Sequence, residues 1–213
     1  MKFENLIQLA SPLAFFDLSL IAQLSGENKR QVTLQLHRLM QDGKVLALRR
    51  GLYTLAESFR KSRLCLPALA NEIYKPSYLS TLWALSYYGI IPEKVVTFTS
   101  VTTRVTRDFK NPLGQFAYSS LKTDFFWGCN ALAMDGATVW LADREKALLD
   151  YWHLNSGEWT VDRLLEMRFQ NTETLNLKKL TRFAQKWNSP RLIRATQELH
   201  RIVVADQKGY RKI

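Results

Sequence analysis

The side chains best suited to chemistry lie in a polar segment near the N-terminus, which begins Asn28-Lys29-Arg30-Gln31. Amide and guanidinium groups can form paired hydrogen bonds with base edges, while ammonium and hydroxyl groups suit phosphate oxygens. Few of these residue types are needed to hold a core, so their concentration here indicates a nucleic-acid contact. Together with two arginines further along the chain, the residues predicted to contact DNA are Asn28, Lys29, Arg30, Gln31, Thr33, Gln35, Arg38, Arg49 and Arg50.

Two helices are predicted to position this segment. Asp17 can cap the first helix, which ends at Ser25-Gly26. The second helix is predicted over residues 28–42 and ends at Gly43. Its apolar residues recur at the spacing of a buried stripe: Val32, Leu36, Leu39 and Met40. The polar side chains therefore fall on the other faces of the second helix.

A short hairpin is predicted directly after the second helix. Residues 45–48 form one strand, Arg49-Arg50-Gly51 form a tight basic turn, and residues 52–55 return as the second strand. A helix pair followed by a basic hairpin is typical of a winged helix-turn-helix, which reads DNA. Such elements also occur as plain packing units, and some winged helices bind proteins, so both of these alternatives stay open.

The distribution of charge favours a polyanionic partner. The chain has a formal net charge of +11 and a pI of about 9.8, which suit a nucleic acid or a very acidic protein. Residues 1–63 contain ten Lys or Arg against five Asp or Glu, and residues 151–213 contain twelve against six. Residues 64–150 contain eight of each. The positive charge therefore lies at the two ends of the sequence.

The chain, at 213 residues, is long enough for two modest domains. We place the boundary near residues 58–66, which are polar and basic, and predict a winged helix DNA-binding domain over residues 1–60 and an interaction domain over residues 64–213. The start of the chain lacks the pattern of a signal peptide. The uncharged run 76–92 is too short and too polar to span a membrane. We therefore expect a cytoplasmic protein with no membrane partner.

The second domain is predicted to be α+β, with a small mostly antiparallel sheet flanked by helices. Helices are predicted over residues 67–73, 78–88, 144–152, 160–169, 174–187 and 190–205. Alternating or β-branched residues predict strands over residues 95–103, 115–120, 125–134 and 138–141. Turn signals separate these strands at residues 111–114 and at Asp135-Gly136, and the second is typical of a hairpin.

No motif indicates catalysis or metal binding. The three histidines, His37, His153 and His200, lie far apart and do not have the spacing of metal ligands. Cys65 and Cys129 are isolated, so neither a zinc site nor a disulfide framework is predicted. The chain has no glycine loop for a nucleotide and no nucleophile motif. We predict no catalytic residue, no metal and no cofactor.

One enzyme alternative is a magnesium-dependent nuclease that uses Asp108, Asp124 and the run 143–146. Such a site needs a lysine two residues after its second acid, whereas Glu145 is followed directly by Lys146. We interpret this run as the beginning of a helix that packs against the sheet.

A cationic stripe is predicted on the penultimate helix. Lys178, Arg182 and Lys186 follow one another at a spacing of four residues, which places them on one face. A solvated surface, a contact with the DNA backbone and a docking surface for an acidic partner all fit this pattern, and the sequence does not separate them.

Three motifs, in this order, resemble the abortive-infection AbiE-type antitoxins, the repressors of type IV toxin–antitoxin systems. They are Arg49-Arg50-Gly51-Leu52-Tyr53-Thr54-Leu55, then Tyr78-Leu79-Ser80 with Ala84-Leu85 and Gly89, then Ala142 with Glu145-Lys146-Ala147-Leu148-Leu149-Asp150. The resemblance covers about residues 15–155. It implies an N-terminal winged helix that represses its own operon at inverted repeats. It also implies a second domain that counters a co-transcribed nucleotidyltransferase-like toxin in phage defence.

Two classes of function therefore remain. In the first, the protein binds double-stranded operator DNA and represses its own operon, and its second domain neutralises a toxin. In the second, it is a stand-alone regulator whose second domain dimerises or senses a ligand. A monomer and a homodimer both fit the sequence.

Overall fold

The computed structural model describes residues 2–210, with the side chains of residues 2–205, and has an α+β fold. Its helices are α1 (Phe3–Ala10), α2 (Leu18–Ser25), α3 (Lys29–Gln41), α4 (Leu66–Ile73), α5 (Thr81–Tyr87), α6 (Arg144–Leu154), α7 (Val161–Glu166), α8 (Leu177–Trp187) and α9 (Pro190–Tyr210). Its strands are β1 (Phe16–Asp17), β2 (Val45–Arg49), β3 (Leu52–Leu55), β4 (Ser77–Leu79), β5 (Phe98–Thr102), β6 (Arg107–Asn111), β7 (Gly114–Ser120), β8 (Cys129–Met134) and β9 (Ala137–Ala142). Single 3-10 turns lie at Glu57–Phe59, Thr123–Phe125 and Thr172–Thr174.

The N-terminal elements form two capped helices and a small antiparallel sheet. The Asp17 carboxylate accepts a hydrogen bond from the Leu20 N–H at 2.9 Å and so caps α2, which ends at Gly26 with a φ of 69°. The sheet has three strands in the order β1-β3-β2. The two helices and the hairpin predicted from the sequence are present. They enclose a cluster that includes Leu6, Ile21, Val32, Leu36, Val45 and Leu55.

The second sheet is larger than predicted and is mixed. It has six strands in the order β6-β7-β5-β4-β9-β8. The pairs β4–β9 and β5–β7 are parallel, and the other three pairs are antiparallel. The prediction of a small, mostly antiparallel sheet was therefore wrong in size, because two strands were not recognised. The predicted hairpin at Asp135-Gly136 is confirmed, and both of its turn residues have positive φ.

The two missed strands have different physical causes. Residues 78–88 were predicted as one helix, but Tyr78 and Leu79 lie in β4, where they pair with β5, and α5 begins only at Thr81. A strand of three residues, two of them buried, is too short to distinguish from a helix turn in the sequence. Strand β6 contains Arg107, Asp108 and Lys110, so it has no apolar alternation, and its pairing with β7 is what makes it a strand.

Two hydrophobic clusters hold the chain, and the β2–β3 hairpin contributes to both. Leu48 and Leu52 pack in the larger cluster around the six-stranded sheet, while their neighbours Val45 and Leu55 pack in the smaller one. The Asn111 side chain also donates to the Leu48 carbonyl at 3.0 Å. The hairpin therefore packs against the β6–β7 edge of the larger sheet. The domain boundary near residues 58–66 stays a prediction.

Candidate functional site

The outer face of α3 is polar and open to solvent. Val32 and Leu36 are fully buried, and they turn the opposite side of the helix outward. Of the nine predicted contact residues, those with exposed positions on or beside α3 are Asn28, Lys29, Arg30, Gln31, Thr33 and Arg38, and Gln35 is partly buried. The structure therefore exposes these six predicted residues on or directly beside one helix.

Leu34 lies between two of these arginines. It is four residues from both Arg30 and Arg38, so the three side chains share one stripe along the helix. The Leu34 side chain is 58% exposed, although its size and apolar character favour burial. Sequence reasoning missed this residue because it looked only for polar groups. The signal was the position of Leu34 on the face opposite Val32 and Leu36.

Three of the predicted contact residues on or beside α3 have side-chain partners inside the chain. The Asn28 side chain accepts from the Gln31 N–H at 2.9 Å and caps α3. The Thr33 hydroxyl donates to the Lys29 carbonyl at 2.7 Å. The Gln35 amide donates to the Glu27 carboxylate at 2.8 Å. These residues therefore stabilise the N-terminal part of α3. The cationic side chains and Gln31 make up most of the polar groups that α3 exposes to solvent.

The two arginines of the hairpin turn differ in environment. Arg50 is exposed, whereas Arg49 is partly buried and donates from Nη1 to the Arg50 carbonyl at 2.9 Å. Gly51 has a φ of 80°, a conformation that glycine adopts without strain, and its carbonyl accepts from the Leu18 N–H at 2.9 Å. This bond ties the turn to the beginning of α2. Arg49 therefore braces the turn, and Arg50 points its charge into solvent.

The predicted cationic stripe is present on α8. Lys178, Arg182 and Lys186 are exposed, and Leu180, Ala184 and Trp187 are buried on the other side of the helix. The Lys186 ammonium lies 4.2 Å from the centroid of the Trp127 ring, which holds it close to the surface.

Lys179, beside the stripe, has a separate role. Its ammonium lies 2.9 Å from the Asp143 carboxylate and 3.3 Å from the Glu145 carboxylate, and so joins α8 to the beginning of α6. Glu145 also accepts from the Asn176 N–H at 2.9 Å. Asp143 and Glu145 are among the residues considered for a nuclease site. In the structure both carboxylates take part in the packing of α8 against α6.

A buried charge cluster lies beneath the larger sheet. Lys146 and Asp150, one turn apart on α6, form an ion pair in which both side chains are fully inaccessible to solvent. The Asp150 carboxylate also accepts from the Ser80 hydroxyl at 2.7 Å and from the Tyr78 hydroxyl at 3.2 Å. The Lys146 ammonium lies 4.4 Å from the centroid of the Trp187 ring. Sequence reasoning saw this run as an ordinary packing helix and missed the pair, although its i, i+4 spacing was a signal.

Burial dominates the electrostatics of this cluster. Loss of solvent raises the pKa of Asp150 and lowers the pKa of Lys146, and the opposite charge of each partner counters these shifts. Burial also raises the pKa of the Tyr78 hydroxyl far above its ordinary value, so it stays protonated and donates. A side chain at Gly128 would lie 2.9 Å from Lys146 Cγ, so this glycine leaves room for the lysine stem.

The other residues considered for chemistry lie apart. Asp108 is exposed on β6, and Asp124 is exposed in the turn before β8. His37 and His200 are exposed on different helices. Within residues 2–205, no three His, Cys, Asp or Glu side chains come together in a group that could hold a metal ion. Cys65 and Cys129 are not joined in a disulfide.

No protein-family model matches this chain, and a search of curated proteins finds no significant match. Among the helices of the described residues, none combines the length and the apolar character needed to cross a membrane.

Proposed function

We propose that the protein binds duplex DNA as a winged helix-turn-helix, with α3 in the major groove and the β2–β3 turn as the wing. The observation that carries this proposal is the outer face of α3, where Arg30, Leu34 and Arg38 form one exposed stripe. Lys29 and Gln31 flank that stripe at the N-terminal end of the helix. In helix-turn-helix proteins this end contacts base edges.

Hydrogen bonds within the chain separate the predicted residues into those assigned to DNA and those that support the local structure. Lys29, Arg30 and Gln31 are exposed near the beginning of α3 and are assigned to bases and adjacent phosphates. Arg38, two turns further along, is assigned to a phosphate. Arg50 is assigned to the DNA backbone beside the major groove. Asn28, Thr33, Gln35 and Arg49 support the geometry of α3 and of the turn, because each makes a hydrogen bond within the chain.

In the cell, we propose that this DNA-binding activity makes the protein an autorepressor and the antitoxin of a type IV system. The resemblance of its three motifs to AbiE-type antitoxins supports this role. The domain over residues 64–213 would act by binding a nucleotidyltransferase-like toxin, without catalysis of its own. The exposed stripe of Lys178, Arg182 and Lys186 gives it a surface for an acidic partner, through charge complementarity that favours encounter and orientation.

A second candidate function is a stand-alone regulator that senses a small molecule. A cavity of about 440 Å³ opens beside the buried charge cluster, with Tyr78, Phe126, Cys129 and Trp140 in its wall. Its volume and largely apolar lining are in the range of ligand pockets. Tyr78 lines the cavity and also donates to Asp150, so this residue links the cavity to the buried cluster.

The DNA-binding proposal is tested by selecting bound fragments from a random duplex pool with the full chain. An enriched motif, lost in the Arg30→Ala and Gln31→Ala variants, is the expected result. A pool without enrichment, bound equally by both variants, would contradict base reading by α3.

The antitoxin role is tested by co-expression with the product of the neighbouring gene. If that product slows growth, the full chain should restore it. The variant Lys178→Glu/Arg182→Glu/Lys186→Glu should restore less. The matched control is Lys94→Glu/Lys110→Glu/Lys122→Glu, three exposed lysines of the neutral segment. Equal rescue by the two variants would show that the stripe is a solvated face. No rescue by the wild type would leave the stand-alone regulator.

A further inference from the structure

The two edges of the six-stranded sheet differ in chemistry. One edge is β6, which carries Arg107, Asp108 and Lys110, all exposed. The other is β8, with the sequence Cys-Asn-Ala-Leu-Ala-Met and no charged residue. Natural sheets protect open edges with charges, prolines or bulges, because unpaired backbone groups otherwise attract another strand. Strand β6 has this protection and β8 does not.

The backbone of β8 presents hydrogen-bonding groups to the outside. Trp140 in β9 faces Ala131, but the Asn71 side chain engages both the N–H and the carbonyl of Trp140, at 2.7 and 3.2 Å. Ala131 and Trp140 therefore form a pair without mutual hydrogen bonds, in which both residues turn their backbone groups away from each other. The bond from the Asp143 N–H to the Gly128 carbonyl fits the same alternation. It follows that Cys129, Ala131 and Ala133 point their N–H and carbonyl groups outward.

We propose that β8 pairs with β8 of a second copy of this chain, antiparallel and about a two-fold axis at Ala131. In this register Ala131 faces its own copy, and Cys129 faces Ala133 of the other chain. The side chains nearest the axis are then among the smallest, so the two backbones can approach to ladder distance. Together the two copies form one continuous sheet across the axis.

The electrostatics and the apolar surface favour this occupant. Strand β8 itself carries no charged residue, so two copies of it can pair without like charges facing each other within the ladder. Trp140 is 48% exposed and lies on the same face as Ala131, its partner in the ladder. A second copy would cover the alanine side chains of β8, which would then lie between the Trp140 side chains of the two copies. A closed two-fold dimer also uses the unprotected edge completely.

The inference does not depend on DNA binding, and its test uses no DNA. Sedimentation velocity of the full chain over a concentration series should show a dimer. Ala131→Lys places two like charges at the axis and should raise the dimer dissociation constant by about tenfold or more. The matched control Val96→Lys adds the same charge at a residue that is 80% exposed and outside β8, and should leave the constant unchanged. A wild type that stays monomeric, or a dimer equally stable in both variants, would overturn the proposal.

A cross-linking measurement covers the case in which Ala131→Lys does not fold. In a Cys129→Ser background, Ala131→Cys would face its own copy at a Cα separation of about 5.5 Å, within the range of a disulfide. Mild oxidation should convert this variant to a covalent dimer, while Val96→Cys in the same background should stay largely monomeric. Equal cross-linking of the two variants would contradict the register.

Discussion

Lys146 and Asp150 form an ion pair that is completely enclosed by the protein, with Tyr78 and Ser80 hydrogen-bonded to the same carboxylate. Moving two charges out of water costs several kcal/mol per ion, so a pair of this kind adds little net stability compared with apolar residues of the same volume. Loss of one partner is different, because it leaves an isolated buried charge. The pair therefore makes α6, which packs in the larger hydrophobic cluster, sensitive to single substitutions.

We predict that Asp150→Asn and Lys146→Met each lower the free energy of unfolding by about 3–5 kcal/mol, because each leaves an unpaired group in the interior. The double variant should recover most of that loss. A double-mutant cycle by chemical denaturation measures this coupling. The control Glu158→Gln, which breaks the exposed pair with Arg194, should have a much smaller effect. Additive single effects would contradict the coupling.

A second prediction concerns pH and His153. Burial lowers the pKa of His153, and the charges of Arg191, Lys146 and Lys122 lower it further. Below the ordinary pKa of about 6.5, the unfolded chain takes up a proton that the folded chain resists, so stability falls as the pH drops through this range. His153→Gln should remove this part of the pH dependence. The stability difference between wild type and variant should therefore narrow toward acid pH, and a constant difference would contradict the assignment.

A third prediction separates the two arginines of the β2–β3 turn. Arg50→Ala should make the negative slope of log K against log salt shallower by about one unit, because one contact with a DNA phosphate is lost. Arg49→Ala should leave the slope nearly unchanged and lower the melting temperature, because Arg49 bonds to the Arg50 carbonyl. Anisotropy titrations at several salt concentrations, with thermal melts, distinguish the two. Equal slope changes in both variants would show that Arg49 also contacts the backbone.

A fourth prediction assigns a base contact to Leu34. An exposed leucine between Arg30 and Arg38 suits the methyl group of thymine, which is the apolar feature of the major groove. Replacing thymine by uracil at the contacted position removes only that methyl. It should weaken wild-type binding by about 0.8 kcal/mol, or roughly fourfold in Kd.

The Leu34→Ala variant provides the control for this base contact. It should bind thymine and uracil duplexes alike. A wild type that binds DNA but is insensitive to every thymine-to-uracil change would remove Leu34 from the base-reading set without affecting the DNA-binding proposal.

The local signals in this sequence predict its short-range structure well. Asp17 caps α2 as predicted, and the Asp135-Gly136 hairpin forms where its turn residues indicate, whereas Asn28, predicted only as a DNA contact, caps α3. Long-range pairing escapes such reasoning. Strand β4 is short and β6 is polar, so each depends on neighbours that are distant in the sequence. The exposure of the polar residues of α3 followed from helical spacing, whereas the exposure of Leu34 and the burial of Lys146 and Asp150 became visible only in the structure.

The central claim is that α3 binds duplex DNA. Its most direct test is the affinity of the full chain for a duplex from its own promoter, measured by anisotropy against a scrambled duplex. Three proteins are compared: wild type, Arg30→Ala/Arg38→Ala, and the control Lys94→Ala/Lys122→Ala, which loses the same charge outside α3. We predict preference for the promoter duplex in the wild type and the control, and loss of affinity for both duplexes in the α3 variant. Equal binding by all three proteins, or no binding by the wild type at low salt, would contradict the claim.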